Sequence, residues 1–260
     1  MKTGTLSAVA LGLVLAGTLT TSCRFGDRAF QASFSRSEKL TVPLADLTAI
    51  DVKTNVGKIQ LDATEGAEAG VYAHVKVDAV TEERAQELAE GVRIVAEPSG
   101  RTLTIRAVKP SGMGREPLWV GLTITAPAGL AINATTNVGD ISITGFTTRV
   151  EARADVGRIT GTNLRDAVDM HTNVGDIRIA YLPDAPPILD VRGATNVGNI
   201  DFAGPAEISA KLSAEVNVGS IHTDRPLTVI GSMKQSINAS LGDGQGKIDL
   251  HTNVGSIHIR

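Results

Sequence analysis

The sequence contains little cysteine and few aromatic residues, and each shortage excludes something. Among its 260 residues there is one cysteine, Cys23, so no disulfide can form within the chain. Aromatic residues make up 3% of the chain, with one tryptophan and two tyrosines, which is little bulk for a conventional globular core. The net charge is −3, so a basic surface that would bind nucleic acid is not expected.

Long apolar runs are also missing after the N-terminal region. Since a membrane-spanning helix needs about 20 apolar residues, no such helix is predicted there. The chain is rich instead in valine, isoleucine, leucine and alanine, and it has 27 glycines. β-Branched residues combined with glycine favour many short strands joined by tight turns. This composition predicts an all-β protein.

The N-terminus has the pattern of an export signal. Lys2 precedes an apolar stretch from about residue 6 to residue 19, which is too short to span a bilayer comfortably. Cys23 follows two small residues and resembles the lipid-modified cysteine of a bacterial lipobox, although Thr20 stands where leucine is usual. The alternative is an ordinary secretory signal with an incidental cysteine. We predict a protein exported to the periplasmic or cell-surface side and anchored to the membrane by a lipid on Cys23.

Four segments follow from these patterns. Residues 1–22 are predicted to be the signal peptide, and residues 23–38, which lack periodicity, a lipidated tether. Residues 39–260 are predicted to form one folded domain, and the block 62–130 interrupts its repeat.

A short phrase, Thr-Asn-Val-Gly-Asp-Ile or a close variant, recurs through the chain. From Gly139 to Gly157 and from Gly157 to Gly175 the spacing is 18 residues, and the later intervals are 23, 21 and 36. Rungs of nearly constant length with variable loops are typical of solenoids. The predicted structural corners are Asn55 and Gly57, Asn137 and Gly139, Gly157 (preceded by Asp155), Asn173 and Gly175, Asn196 and Gly198, Asn217 and Gly219, and Asn253 and Gly255.

Each repeat alternates with period two on both sides of its glycine. Val168, Met170, Thr172 and Val174 are predicted to share one buried face, and a bend at Gly175 begins a second strand. Each unit is therefore strand, corner, strand, and successive units are predicted to stack in parallel with rungs of about 18–23 residues. A sandwich of two sheets is the alternative.

Parallel stacking predicts which side chains become neighbours. The residue after the glycine alternates in charge in Asp140, Arg158 and Asp176, as stacking favours. The repeated asparagines would form a ladder of amides. One pair disagrees, because Glu151 and Asp169 are like charges in equivalent positions, with Arg153 and His171 nearby to offset them.

The block 62–130 is predicted to be a small α+β insertion that covers one end of the stack. Thr81 is a good helix N-cap, acidic residues follow in the first turn, and Gly91 is a stop signal. Residues 71–77, 102–108 and 118–126 have strand patterns. An exposed sheet end is an aggregation hazard, which such a block would cover.

Three pieces of the sequence together carry a family resemblance. These are residues 100–105 (GRTLTI), residues 120–127 (VGLTITAP) and the Asn-Val-Gly repeats. Over about residues 40–260 the chain resembles the bacterial "putative adhesin" domains of unknown function, similar to head domains called GIN. The resemblance implies a β-helix-like fold in an exported, envelope-attached protein and supplies no catalytic residues. A period of 18 fits a left-handed or a right-handed coil, and the resemblance favours the right-handed one.

Two features could be taken for metal sites. His171 and His251 share one repeat position, and His222 and His258 share another, but ligands must converge on one point, whereas a ladder separates them. The segment 241–250 faintly resembles a calcium loop, yet it occurs once and has few acidic residues. We expect solvent-facing histidines, a corner insertion, and no metal or other cofactor.

No motif of an enzyme is present, because the chain has no Gly-x-Ser-x-Gly elbow, P-loop or Gly-x-Gly-x-x-Gly. The expected function is a binding, adhesion or scaffolding module without catalytic residues, with a protein or polysaccharide of the envelope as ligand. The alternative is a β-helix carbohydrate-active enzyme, a lyase or hydrolase, which would need a cleft where charged side chains converge.

The last repeat, residues 252–260, ends the sequence without a covering segment. A bare final rung would offer unpaired backbone groups to a second copy or to a partner's strand. The alternative is that His258, Arg260 and the terminal carboxylate protect this edge in a monomer.

Overall fold

A computed structural model describes residues 13–15, 30, 32–226, 228–233 and 235–260, and in these residues the protein is mostly β, as predicted. The single helix of the described part is α1 (Glu82–Gly91). The strands are β1 (Leu13–Leu15), β2 (Ala32–Pro43), β3 (Ala49–Val56), β4 (Ile59–Thr64), β5 (Glu68–Ala79), β6 (Arg93–Ser99), β7 (Thr102–Val108), β8 (Leu118–Pro127), β9 (Ala131–Val138), β10 (Ile141–Thr144), β11 (Val150–Val156), β12 (Ile159–Leu164), β13 (Val168–Val174), β14 (Ile177–Tyr181), β15 (Asp190–Val197), β16 (Ile200–Ala203), β17 (Ala210–Thr223), β18 (Thr228–Met233), β19 (Ser236–Leu241) and β20 (Gly246–Ile259).

Two parallel ladders of strands run along the molecule. One contains, in spatial order, β7, β3, β9, β11, β13, β15, β20 and β17. The other contains β8, β4, β10, β12, β14 and β16, followed by the C-terminal halves of β20 and β17. Equivalent residues pair directly, as Val150 does with Ile132 and Val168. The predicted parallel, in-register pairing of the repeats is therefore confirmed.

The charged pairs on the outer faces follow this register. Glu151 pairs with Asp169, and Arg153 offsets the two like charges at 3.4 Å from Glu151 and 3.5 Å from Asp169. Arg149 donates a hydrogen bond to Glu151 at 2.8 Å, and this bond lowers the pKa of the Glu151 carboxyl.

The core lies between the two ladders and is mostly aliphatic. Its side chains stack in columns, since the same position of each repeat points inward. One such column follows the corner glycines and is fully buried: Ile59, Ile141, Ile159, Ile177, Ile200 and Ile257. Each rung needs only a few medium-sized side chains to fill its interior, which explains how so few aromatic residues suffice.

The block 62–130 is more closely integrated than an insertion. It contains α1, where the Thr81 hydroxyl caps the helix by accepting from the Arg84 backbone N–H at 3.3 Å, and where Leu88 is buried. It also contains β7 and β8. β7 pairs in parallel with β3, and β8 pairs in parallel with β4, so the block supplies the first strand of each ladder. β2, β5 and β8 form an antiparallel sheet at this end, and β6 pairs antiparallel with β7.

Residues 32–38 correct the predicted tether, because they belong to β2. β2 pairs with β5 along its whole length, from Ala32 with Ala79 to Pro43 with Glu68. This pairing satisfies the backbone hydrogen-bonding groups of β5. It explains why residues 32–38 form a strand although they lack a clear hydrophobic period. Of the predicted signal peptide, Leu13–Leu15 form β1 against β2, and Cys23 lies outside the described residues.

The C-terminal rung is not bare, which corrects another prediction. β20 lies between β15 and β16 on one side and β17 on the other, so the repeat that comes earlier in sequence stacks farther out. Two contacts explain the preference for β20 beside β15 and β16. Thr252 donates to the Gly198 carbonyl at 2.9 Å, where β17 has Val216, and Arg260 binds Asp201. β19 pairs antiparallel with the first half of β17, and β18 pairs antiparallel with β19.

Among the residues that the structure describes, no helix has the length and hydropathy needed to cross a membrane.

Candidate binding surfaces

The corner glycines have a conformation and a closeness of packing that other residues do not tolerate. All seven have φ between +146° and +151°. A Cβ on Gly157 would lie 2.0 Å from the Gly139 carbonyl oxygen, and a Cβ on Gly175 would lie 2.0 Å from that of Gly157. Gly157 N–H also donates to the Val174 carbonyl at 2.9 Å. The corners therefore stack backbone against backbone, and glycine is required there.

Buried threonines bind the same corners from inside, and the sequence did not reveal this role. Thr172, which is fully buried, donates its hydroxyl to the Gly157 carbonyl at 3.1 Å. Four further threonines do the same, each donating to a carbonyl of the preceding rung: Thr54, Thr136, Thr195 and Thr252. A buried hydroxyl needs such a partner, so these contacts fix each corner to its neighbour.

The corner valines are exposed, although Val174 was predicted on the buried face. The ladder skips Asn173 and the chain turns at Gly175, so the alternation ends after Thr172. We call the resulting row of outward valines, 39–63% exposed, the corner stripe. Its members in stacking order are Val56, Val138, Val156, Val174, Val197, Val254 and Val218.

A row of amides borders the corner stripe on its N-terminal side. The predicted asparagine ladder is hydrogen-bonded over five rungs, each amide donating to the side chain of a neighbouring rung. Distances lie between 2.8 Å and 3.3 Å along Asp155, Asn173, Asn196, Asn253 and Asn217. Asn55 and Asn137 occupy the same position but are not joined to this ladder.

Charged and polar residues border the corner stripe on its C-terminal side. We call this row the post-glycine ladder: Lys58, Asp140, Arg158, Asp176, Asn199, Ser256 and Ser220. Three of its side chains accept from the backbone N–H of the next rung, at 2.8–2.9 Å: Asp140, Asp176 and Asn199. Arg158 lies 3.6 Å from Asp176. The acidic and amide members thus support the corners and still face solvent.

A second exposed surface lies on β5 and β8, at the other end of the second ladder from β17. Trp119, the single tryptophan of the chain, packs over Gly121, where a Cβ would lie 2.4 Å from the indole ring. Its ring lies edge-on to His74 with the centroids 5.7 Å apart, and His74 is hydrogen-bonded to Ser37 at 2.9 Å. Tyr72 is on the same outer face, and both aromatic side chains are partly exposed. We call Tyr72, His74 and Trp119 the aromatic patch.

Little in the sequence indicates the aromatic patch. Its only signal is the spacing of Trp119 and Gly121, which are two residues apart in an alternating strand and so share a face. The pairing of β5 with β8, which brings Tyr72 and His74 to the same face, is a long-range contact that the repeat does not specify.

A cleft of about 630 Å³ lies between the edges of β2 and β6. Its charged side chains include Arg36 and Glu38, which are ion-paired with each other. Arg36 Nε also donates to the Ala89 carbonyl at 2.7 Å, at the end of α1. These contacts hold the two elements together, so this pair has a structural role in the cleft.

The predicted corner insertion is the turn between β19 and β20, where Gly242 and Gly244 lie. His222 and His258 are neighbours in register, and His258 is 3.0 Å from Asp224. His251 lies beside Glu215, at 3.7 Å. Across the described part of the chain, no three histidine, cysteine or acidic side chains are grouped to hold a metal ion.

No protein-family model matches the chain, and no curated protein sequence matches it significantly. Solved structures that are similar to it include a "putative cell adhesion protein" of Clostridium sporogenes, with a TM-score of 0.48 and 14% identity over 86% of this chain and 98% of that one. A "putative adhesin" of Bacteroides fragilis has a TM-score of 0.44 and 16% identity, over 90% of this chain and 100% of that one. A "putative adhesin" of Parabacteroides distasonis has a TM-score of 0.26 and 11% identity, over 86% and 97%.

Proposed function

We propose that the protein is a lipid-anchored module of the bacterial envelope, built as a parallel β-solenoid, that binds an envelope polysaccharide and does not catalyse a reaction. The lipid on Cys23 would attach it to the membrane. The stacked rungs would form a rigid support that carries binding surfaces, as repeat proteins commonly do.

The observation that carries the ligand class is the aromatic patch. The faces of sugar rings carry C–H groups that pack against aromatic rings, while their hydroxyls bind polar groups at the rim. Trp119 lies over Gly121 with its side chain partly exposed, and Tyr72 is partly exposed on the same face. His74 and Lys76 lie on this face as well, beside the rings. Aromatic side chains with an apolar body and a polar tip suit such a contact.

Binding without catalysis is favoured by how the charged groups are used. A glycoside hydrolase needs two carboxyl groups facing one bond. Glu38, Glu90 and Glu97 line the cleft between β2 and β6, but Glu38 is paired with Arg36, which in turn binds the end of α1, and Glu90 accepts a hydrogen bond from Gln86. The carboxylates of the post-glycine ladder bind backbone N–H groups of the next rung.

The test uses the single tryptophan. Co-sedimentation with insoluble envelope polysaccharide should show that Trp119→Ala and Tyr72→Ala each weaken binding about tenfold, as expected for truncated aromatic anchors. Soluble fragments of the polysaccharide should shift the Trp119 fluorescence of the wild type. Ile188→Ala is the matched control, because Ile188 is a large exposed apolar residue outside the aromatic patch.

Circular dichroism melting would show that each variant is folded. Equal sedimentation of Trp119→Ala and wild type would refute the aromatic patch as the binding site. Release of reducing or unsaturated sugar ends by the wild type would instead favour the carbohydrate-active enzyme.

A further inference from the structure

The corner stripe is an apolar surface that the fold itself does not use. Seven valines in adjacent rungs, each about 4.8 Å from the next, make a row about 29 Å long. Single exposed apolar residues are ordinary, whereas a contiguous row bordered by polar residues marks an interaction site.

The charged residues that border the first four rungs indicate what could bind the corner stripe. In stacking order the post-glycine ladder reads Lys58, Asp140, Arg158 and Asp176, which is plus, minus, plus, minus. The remaining members, beside the other rungs, are uncharged. Read in the opposite direction, the charged pattern is minus, plus, minus, plus, so this row is complementary to its own reverse.

We propose that the corner stripe binds a second copy of the chain, face to face and antiparallel, about a twofold axis between the second and third rungs. That axis places each ladder opposite the same ladder of the other copy in reverse order. Lys58 then faces Asp176 of the second copy, and Asp140 faces Arg158. A twofold axis at the fourth rung would bring all seven valines into the contact, but it would place Asp176 opposite Asp176 of the second copy.

The amide side of the corner stripe agrees with the same axis. Asn137 would face Asp155 of the second copy, and Asn55 would face Asn173. Asn55 and Asn137 are the two members outside the hydrogen-bonded amide ladder, and an amide can donate to the carboxylate of Asp155. Beyond the first rung of one copy, the fifth rung of the second copy would meet a hollow of about 370 Å³. This hollow lies beside Val56 and is lined in part by Lys109 and Arg115.

The orientation deepens the proposed function and rests on its membrane anchor. Ala32, where β2 begins, lies at the β2 end of the stack, away from β17. An antiparallel pair puts these ends at opposite ends of the assembly, which suits two chains held on two facing surfaces. The contact involves few rungs, so each pair would be weak in solution and strengthened by many anchored copies.

Disulfide trapping detects a weak contact and tests the register. In the full chain with Cys23→Ser, Val56→Cys and Val174→Cys are made separately. Within one chain these positions are three rungs, or about 14 Å, apart, but they face each other across the proposed axis. A mixture of the two variants should form covalent dimer about tenfold faster than either alone. A mixture of Val174→Cys with Ile188→Cys, which is exposed elsewhere, is the control.

Charge reversal tests the same pairing without cysteines. On vesicles carrying the chain by its N-terminus, Lys58→Glu alone and Asp176→Lys alone should each aggregate vesicles about tenfold less than wild type. Mixing the two populations should restore aggregation, because the two substituted side chains would then face each other with opposite charges, and so would the native Asp176 and Lys58. Asp176→Asn controls for the loss of charge, because it keeps an oxygen for the Asn199 N–H.

Equal trapping in all mixtures, or mixed vesicles that aggregate no more than the single variants, would overturn the antiparallel pair. Polysaccharide binding by Trp119 is measured separately, on residues outside the corner stripe. Loss of the pair with normal polysaccharide binding would therefore refute only this inference, and the reverse result would refute only the proposed ligand.

Discussion

At the scale of single residues, the corner is a small structural unit in which each residue has a separate task. In the rung of Gly175, the glycine allows the turn, Thr172 closes the interior with a hydrogen bond, and Asp176 accepts from the next rung. Val174 has no such side-chain role and is exposed. A residue that recurs in every rung without a structural contact is the natural candidate for binding.

Gly157→Ala should destabilise the fold by about 3 kcal/mol, measured by denaturant unfolding, because it combines a positive φ with an overlap on the Gly139 carbonyl. Gly66→Ala isolates the backbone cost, because Gly66 also has positive φ but nothing near its missing Cβ, and it should lose about 1 kcal/mol. Gly129→Ala has neither problem and should stay within about 0.5 kcal/mol. Three equal losses would show that corner stacking is not what requires glycine.

The sequence predicted most of the corner but not which way its valine points. Glycine spacing and the identity of Asn173 are read directly from the repeat, and the amide ladder follows from parallel stacking. Val174 was assigned to the core because alternation continues through it in sequence. Its true direction depends on the backbone, which leaves the regular ladder at Asn173 and turns at Gly175, and this change leaves no trace in a hydrophobic pattern.

At the scale of strands, the order of stacking differs from the order of the chain. β20 enters between β15 and β17, and β18 and β19 form a hairpin that covers part of β17. The sequences of β17 and β20 share Asn-Val-Gly-Ser-Ile, so the repeat alone could not decide which lies inside. The choice depends on Thr252 and on Arg260, which contact the neighbouring rung.

Deleting residues 246–260 should release β17, β18 and β19 from the stack, because β20 provides their pairing to β15 and β16. Limited proteolysis with mass spectrometry should then find cleavage within residues 210–241, while β9 to β14 stay protected. Val254→Ala is the control, because Val254 is an exposed side chain of β20 and its truncation keeps the pairing of the strand. Continued protection of β17 in the deletion would mean that β17 can stack directly on β15, as chain order predicted.

At the scale of the whole molecule, the repeat specifies the middle of the stack better than its ends. Strands such as β11 and β13 are predicted in type, register and direction because the neighbouring repeats have similar sequences. The ends lack that guide. β2 has no hydrophobic period yet pairs along the whole of β5, and the aromatic patch depends on that same antiparallel sheet. Non-repeating ends therefore carry contacts that only long-range pairing reveals.

The proposed location of the protein and the orientation of the pair depend on attachment to the membrane, and we propose that this attachment rests on one residue. Cys23→Ser should move the protein from the membrane fraction to the soluble exported fraction, because one modified residue would supply the whole lipid anchor. Mass spectrometry of the wild type should show an acylated N-terminal Cys23 after removal of residues 1–22. Ser22→Ala is a matched control, since a small residue before the cysteine preserves the signal pattern. Lipid-free, soluble wild type would contradict the anchor. Polysaccharide binding and antiparallel pairing would then have to act in a protein free to diffuse, where weak pairs gain nothing from a shared surface.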